Sequence, residues 1–268
     1  MKFKRDFLKS YLKVAPLALA SERALECEIL SLQKFEPPLL DIGCGDGIFA
    51  SILFESKVDT GIDLDLYELA RCKKLNIYKE LIACQGAEIP KPDQSYKTIM
   101  SNSVLEHIKD LKPLLSEVSR LLQKEGSFYV TIPNNKFEEA AVISRILNKI
   151  NLINIKKRFN VFYNKFWRHY NCYELEKWIE VFNEAGFKVV SYTEYNSMAL
   201  ATFHDICVPF AFSSFLARKY LERWFFFPKV RFLFSHLLYI LITPLIKVLK
   251  GGNKQPTLIF FHLKRNTE

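Results

Sequence analysis

At 268 residues, 49% of them hydrophobic and 25% charged, the chain is long enough for one large domain or two small ones and too apolar to be disordered. Its six cysteines include no C-x-x-C pair, which argues against a zinc or disulfide framework and for reduced thiols. The net charge of +9 is uneven: residues 140–268 carry 19 Lys/Arg against 8 Asp/Glu, whereas residues 1–139 carry 19 against 21.

Helical spacing over 4–14 and 20–34, with Pro16 between, predicts a unit of N-terminal helices within 1–36. The basic N-terminus is followed by an apolar stretch, 14–20, that is short and broken by Pro16, a poor secretory signal. Strands are expected at 38–42, 58–62, 79–84, 97–101 and 127–132, with helices in the gaps. A helix-like cap insertion follows at 135–170, with seven basic residues and no acid between 140 and 172. Residues 173–185 read as a helix closed by Gly186, 187–195 as a sixth strand and 257–264 as a seventh.

The most informative stretch is Asp41-Ile42-Gly43-Cys44-Gly45-Asp46-Gly47-Ile48. Glycine reaches φ > 0 in a tight strand-to-helix turn and lets backbone N–H groups approach a ligand. A dinucleotide loop requires G-x-G-x-x-G, and here Ile48 occupies the place of its last glycine. Asp63 ends the next strand, where a carboxylate can accept hydrogen bonds from both hydroxyls of a ribose.

Four ordered motifs extend this reading: Asp41 to Gly47; Gly61-Ile62-Asp63-Leu64; Gly86-Ala87-Glu88-Ile89-Pro90; and Ser101-Asn102-Ser103-Val104-Leu105-Glu106-His107-Ile108, followed by Arg120 to Gly126 and Thr131-Ile132-Pro133-Asn134. Together they resemble the class I S-adenosylmethionine-dependent methyltransferases of the small-molecule (type 11) family. The resemblance implies an α/β, Rossmann-like three-layer sandwich with a seven-stranded, mostly parallel sheet whose last strand is antiparallel. The core would be 37–199 with 256–265. It also implies S-adenosylmethionine as cofactor, held by Asp41, Gly43, Gly45, Gly47, Asp63, Leu64, Ala87 and Ser101. The chain departs from the family at Gly86 and Lys97, where acids are usual, and the first departure weakens the expected grip on the adenine amino group.

His107 follows the fourth strand where substrate enters, and an imidazole there is the expected catalytic base; a structural role at a helix start is the alternative. Some related quinone O-methyltransferases carry Glu-x-x-Glu-His at this point and bind a divalent ion. Ser103 stands at the first of those positions, so no metal is expected. By family analogy Arg168, His169 and Tyr170 stand over the pocket as substrate residues, with His204 and Asp205 as weaker candidates. His236 and His262 read as packing or surface residues.

Residues 200–255 form an apolar and basic insertion where the family has a short connection. Its uncharged run, 232–246, is about 22 Å long as a helix, against roughly 30 Å of bilayer hydrocarbon, and it contains Pro244. A chain that rejoins its sheet cannot cross once. Surface-lying or re-entrant helices are therefore expected, with Arg218, Lys219, Arg223, Lys229, Arg231, Lys247 and Lys250 facing anionic headgroups; a lid on the enzyme or a subunit contact is the alternative. The expected partners are a small-molecule or lipid-linked acceptor and a membrane surface. RNA ranks lower, since no Asn-Pro-Pro-Tyr or Pro-Cys pair is present. The expected enzyme is cytoplasmic and peripheral on the inner membrane face, O-methylating a glycolipid or saccharide. Quinone or isoprenoid methylation is the alternative activity, and an inactive membrane-associated scaffold is the alternative class.

Overall fold

The computed structural model describes residues 1–252 and 255–266. Helices α1 (Phe7–Val14) and α2 (Leu17–Leu30) precede an alternation of β1 (Leu39–Ile42), α3 (Ile48–Leu53), β2 (Val58–Asp63), α4 (Leu66–Leu75), β3 (Tyr78–Ala83), β4 (Tyr96–Asn102), α5 (Leu111–Leu121) and β5 (Leu122–Pro133). The basic pair α6 (Val142–Lys149) and α7 (Ile153–Trp167) follows, then α8 (Leu175–Glu184) and β6 (Phe187–Ser197). Helices α9 (Met198–Cys207), α10 (Phe212–Leu221) and α11 (Pro228–Lys250) lead to β7 (Pro256–Arg265).

The seven strands form one sheet in the order β3-β2-β1-β4-β5-β7-β6, with β7 antiparallel to both neighbours and the other pairings parallel. Alternate residues of each central strand enter opposite layers. Leu39, Met100, Tyr129 and Phe260 pack with α1, α2 and α3, and Leu40, Ile99, Val130, Ile259 and Phe261 pack with α5 and α8. The result is the expected Rossmann-like three-layer sandwich. Phe7, Tyr11 and Leu12 of α1 belong to the same buried cluster as the sheet, so the N-terminal helices share the core of the domain.

Two local expectations change. Pro16 caps α2 directly, with extended ψ, because a proline costs nothing just before a first turn whose N–H groups lack helical partners; the helix therefore starts at Leu17. Between β3 and β4 no helix forms. Gly86, Pro90 and Pro92 disfavour one, and the segment is tied instead to α5, where Glu117 accepts from the Ile89 N–H (2.8 Å) and Arg120 donates to the carbonyls of Ile89 and Lys91.

The insertion leaves and returns at one point. Ser197 pairs with Pro256, and the Met198 N–H donates to the Gln255 carbonyl at 2.9 Å; residues 253–254 within it lie outside the described residues. Helix α11 has 23 residues and is long and apolar enough to cross a membrane, despite Pro244 inside it. It lies lengthwise on the domain, however. Leu238, Tyr239 and Ile242 pack on the cluster that holds α1, and Arg231 donates to the Leu12 carbonyl at the end of α1 (2.8 Å).

Trp178 of α8 is fully buried, stacked on Phe182 and beside Tyr173. Replacing it with Ala should lower unfolding free energy by about 3–5 kcal/mol in urea titration; a loss under 1 kcal/mol would contradict its place in the core.

Candidate active site

The turn after β1 carries Gly43, Gly45 and Gly47, all at positive φ. A Cβ on Gly43 would lie 2.4 Å from a Val104 methyl, so both conformation and space require glycine. Nothing stands within 4 Å of the equivalent point on Gly45, which leaves open space along the loop. Asp63 braces this turn: one oxygen accepts from the Gly45 N–H (2.9 Å) and the other from the Asp65 N–H (2.8 Å). Each oxygen keeps a further acceptor site, which suits the two hydroxyls of a ribose. Leu64 beside it is 68% exposed, an apolar surface for a base. Ala87 is half-buried, and the adjacent Gly86 lies against Leu114, whose methyl is 2.6 Å from where a Cβ would be. Leu114 thus takes the space of the usual acid.

Asp41 and Ser101 lie beneath the loop rather than on its surface. Both are buried, and Asp41 accepts a hydrogen bond from the Tyr78 hydroxyl. Burial pushes its carboxyl up to about 7, against the opposing effect of that bond. The Ser101 hydroxyl meets no hydrogen-bond partner among the described residues.

A cavity of about 260 Å³ opens at the C-terminal ends of β4 and β5. Its floor is a fixed polar network. Glu26 of α2 receives both Arg23 (2.7 and 2.8 Å) and the side chains of Asn102 (2.9 Å) and Ser103 (2.8 Å), while Thr131 donates to Asn102 (2.8 Å). Glu22 and Arg23 line the cavity from α2, Tyr163 and Trp167 from α7, and His204 and Asp205 from α9. The His204 Nδ1 stands 3.5 Å from a Glu22 oxygen, and Tyr163 donates to Asp205 at 3.0 Å.

His107 lies in the 3₁₀ turn Leu105–His107 and lines the cavity. Burial holds its pKa below the usual imidazole value, so the ring is neutral at pH 7. Its Nδ1 faces the Arg168 carbonyl at 3.2 Å; a carbonyl only accepts, so Nδ1 carries the hydrogen and Nε2 keeps its lone pair. Of the three residues expected over the pocket, only His169 enters it. The Arg168 side chain is exposed and contributes its carbonyl, and Tyr170 is exposed beneath Lys109. The cause is the end of α7, where Arg168 takes a left-handed conformation that turns alternate side chains away from the cavity.

The insertion supplies the roof. Phe215 of α10 and the following Trp224 line the cavity, and Arg218 reaches back to the cofactor loop. Its guanidinium lies 2.7 Å from Asp46 and 2.5 Å from Glu68, with the Trp224 ring centroid 4.3 Å from its central carbon. Arg218 is therefore a latch between roof and loop, not a headgroup cation, and Arg231, bonded to α1, is likewise used internally. Glu22, Arg23 and Glu26 escaped the sequence reading; the available signal was their position on an otherwise apolar helix.

Asp63→Ala should weaken S-adenosylmethionine binding at least tenfold by calorimetry, and unchanged affinity would remove the ribose assignment. Asp41→Asn tests the buried acid. A carboxyl whose folded pKa is raised from 3.8 to about 7 stabilises the fold less as pH rises through that interval and reaches a constant penalty above it. Wild type should therefore melt progressively lower than Asp41→Asn between pH 4 and 7; a constant difference would contradict the burial.

A methyltransferase domain family matches residues 14–192, more than half of the chain. A probable S-adenosylmethionine-dependent methyltransferase of Mycolicibacterium smegmatis is 30% identical over 97 residues, which are 36% of this chain and 38% of that protein. The ubiquinone biosynthesis O-methyltransferase of Vibrio atlanticus is 28% identical over 113 residues, 39% of this chain and 46% of that one. The chain thus spans under half the length of these two relatives. Among solved structures, phosphoethanolamine N-methyltransferase 2 of Haemonchus contortus, in complex with S-adenosyl-L-methionine, superposes with a TM-score of 0.53 at 18% identity, over 94% of this chain and 53% of that one; this likeness concerns the fold. With the family match, the loop at Gly43 to Gly47 and the acid at Asp63 in agreement, the chain belongs to the methyltransferase domain family.

Proposed function

We propose that the enzyme methylates an oxygen of an amphipathic acceptor, a lipid-linked saccharide or other glycolipid, presented at a membrane surface. The observation that carries this reading is the continuity between pocket and exposed apolar surface. Helix α9 lines the cavity with Ala201, His204 and Asp205, and α11 packs against α9. On the outer side of α11, Leu233, Leu237, Leu241 and Val248 are exposed at helical spacing. Phe162 and Phe166 of α7, and Phe210 and Phe212 at the start of α10, are exposed as well. So much apolar surface is unusual for a soluble monomer, and Lys219, Arg223, Lys229 and Lys247 accompany it as cations for anionic headgroups.

The pocket suits an acceptor with two characters. Phe137, Tyr163, Trp167, Phe215 and Trp224 offer aromatic walls, and Glu22, Arg23 and the histidines offer hydrogen bonds to hydroxyls. S-adenosylmethionine supplies an electrophilic methyl on a sulfonium, so the protein has to hold the acceptor in line and exclude water. The α10 roof serves the second task. The neutral His107, with its Nε2 lone pair toward the cavity, is placed to act on an acceptor hydroxyl.

The name of the Vibrio relative favours a hydroxylated quinone precursor as the second acceptor class; its ring hydroxyl is likewise an oxygen nucleophile on an amphipathic molecule. Membranes incubated with the enzyme and methyl-labelled cofactor should carry label in the lipid fraction, and saccharide and quinone lipids separate by chromatography. A double Leu237→Glu, Leu241→Glu variant should lose sedimentation with anionic vesicles while keeping cofactor affinity. Label confined to water-soluble material, or vesicle binding unaffected by the double variant, would defeat the membrane reading.

A further inference from the structure

The pocket contains one cluster whose polar atoms meet no partner within the protein among the described residues. The Glu106 side chain is buried, and its Oε2 meets no hydrogen-bond donor among the described residues. The buried Nδ1 of His169 is equally unpartnered among them. The His107 Nε2 lies 3.8 Å from Glu106 Oε1, too far for a hydrogen bond. One ligand atom from each of the three residues falls within 4.8 Å of the others. Three groups thus converge without bonding one another, which is costly for a buried carboxyl unless a fourth body joins them.

We propose that Glu106, His107 and His169 bind a divalent first-row transition ion in the acceptor pocket. Two imidazoles and one carboxylate form a donor set that favours zinc, manganese or iron over calcium or magnesium. Ligands at about 2.0–2.2 Å from such an ion stand roughly 3–4 Å apart; the His107–Glu106 pair at 3.8 Å lies in that range, and the set as a whole, within 4.8 Å, would draw slightly inward on binding. The outer contacts are of the kind that orient metal ligands. The Arg168 carbonyl fixes the His107 ring so that Nε2 faces inward. The Tyr170 and Asn171 N–H groups donate to the Glu106 carbonyl, and the Asn171 side chain donates to the carbonyls of Leu105 (3.2 Å) and Ile108 (2.6 Å). These bonds lock the segment bearing His169 onto the turn bearing Glu106 and His107. Phe137 packs on the His169 ring, with centroids 5.0 Å apart.

His169 therefore provides a donor that the serine at position 103 does not, since Ser103 is engaged with Glu26. Three protein ligands leave coordination positions open to the cavity, where an acceptor oxygen can bind. This part rests on the oxygen-acceptor reading: an ion held by these three residues would supply a Lewis acid that favours loss of an acceptor hydroxyl's proton to water, leaving that oxygen to take the methyl group as the sulfonium C–S bond breaks. His107 then acts on the acceptor through the ion.

The full-length protein, stripped with chelator and titrated with zinc or manganese chloride in a calorimeter, should bind one equivalent. Glu106→Gln and His169→Gln should each weaken binding at least tenfold and leave S-adenosylmethionine affinity intact, which also shows that the variants are folded. His236→Ala should bind metal as wild type does. No stoichiometric binding of either ion, or binding unchanged in both pocket variants, would overturn the site. Metal binding with label in no lipid would keep the site and reject the lipid acceptor, whereas lipid methylation without metal binding would do the reverse.

Discussion

The arrangement of the whole chain depends on the place of β7. Entering antiparallel between β5 and β6, it forces everything after Ser197 to return to its starting point, since Ser197 and Pro256 are paired neighbours. A helix as apolar as α11 would otherwise be free to cross a bilayer. The insertion that carries it starts and ends at paired strand residues, and α11 itself packs on α1, on the outside of the domain. The preceding helices, anchored at the same point, extend over the cavity, so one insertion provides both a roof and an outer apolar face.

Charge placement divides these two roles. Arg218 is drawn inward by two carboxylates, Asp46 and Glu68, and stacks on Trp224. Because the guanidinium is partly buried, removing either acid would leave it poorly compensated, the usual reason that such pairs behave as fixed fasteners. Of the exposed cations of the insertion, Lys250 pairs with Glu28 at 2.6 Å, whereas Lys219, Arg223, Lys229 and Lys247 stand on the surface. The expectation of one uniform basic rim around apolar helices thus resolves into fasteners and surface charge, a distinction set by which acids the fold brings near.

The cofactor half was legible because its chemistry is carried by consecutive residues: three positive-φ glycines and an acid one strand later define a turn with little help from the rest of the fold. The same holds for the centre of the sheet, where β1 and the second half of β5 are buried on both faces. The acceptor half was not. Glu22, Arg23 and Glu26 reach the cavity only because α2 packs across the ends of β4 and β5, and their spacing alone reads as an ordinary amphipathic helix. Of the three consecutive residues 168–170 expected over the pocket, only His169 lines the cavity; the left-handed residue closing α7 lies outside what sequence spacing specifies. The relation of His169 to Glu106 spans more than sixty residues and depends on the bonds of Asn171, which no local pattern announces. Asp41 on β1 and Ser101 on β4, both expected to hold the cofactor, are buried in the structure, a depth that no sequence pattern gives.

The pairing of Ser197 with Pro256 also bears on how such an enzyme diversifies. Two adjacent strand ends can be joined by a tight turn or by a long excursion without altering the register on either side, and loop-closure entropy rises only slowly with length. The segment between them can therefore be exchanged as a cassette, replacing the roof and the outer face together while the methyl-donor half stays unchanged. In this architecture the roof of the cavity and the outer apolar face are inherited as a single module, while α2 and α7 keep the remaining walls.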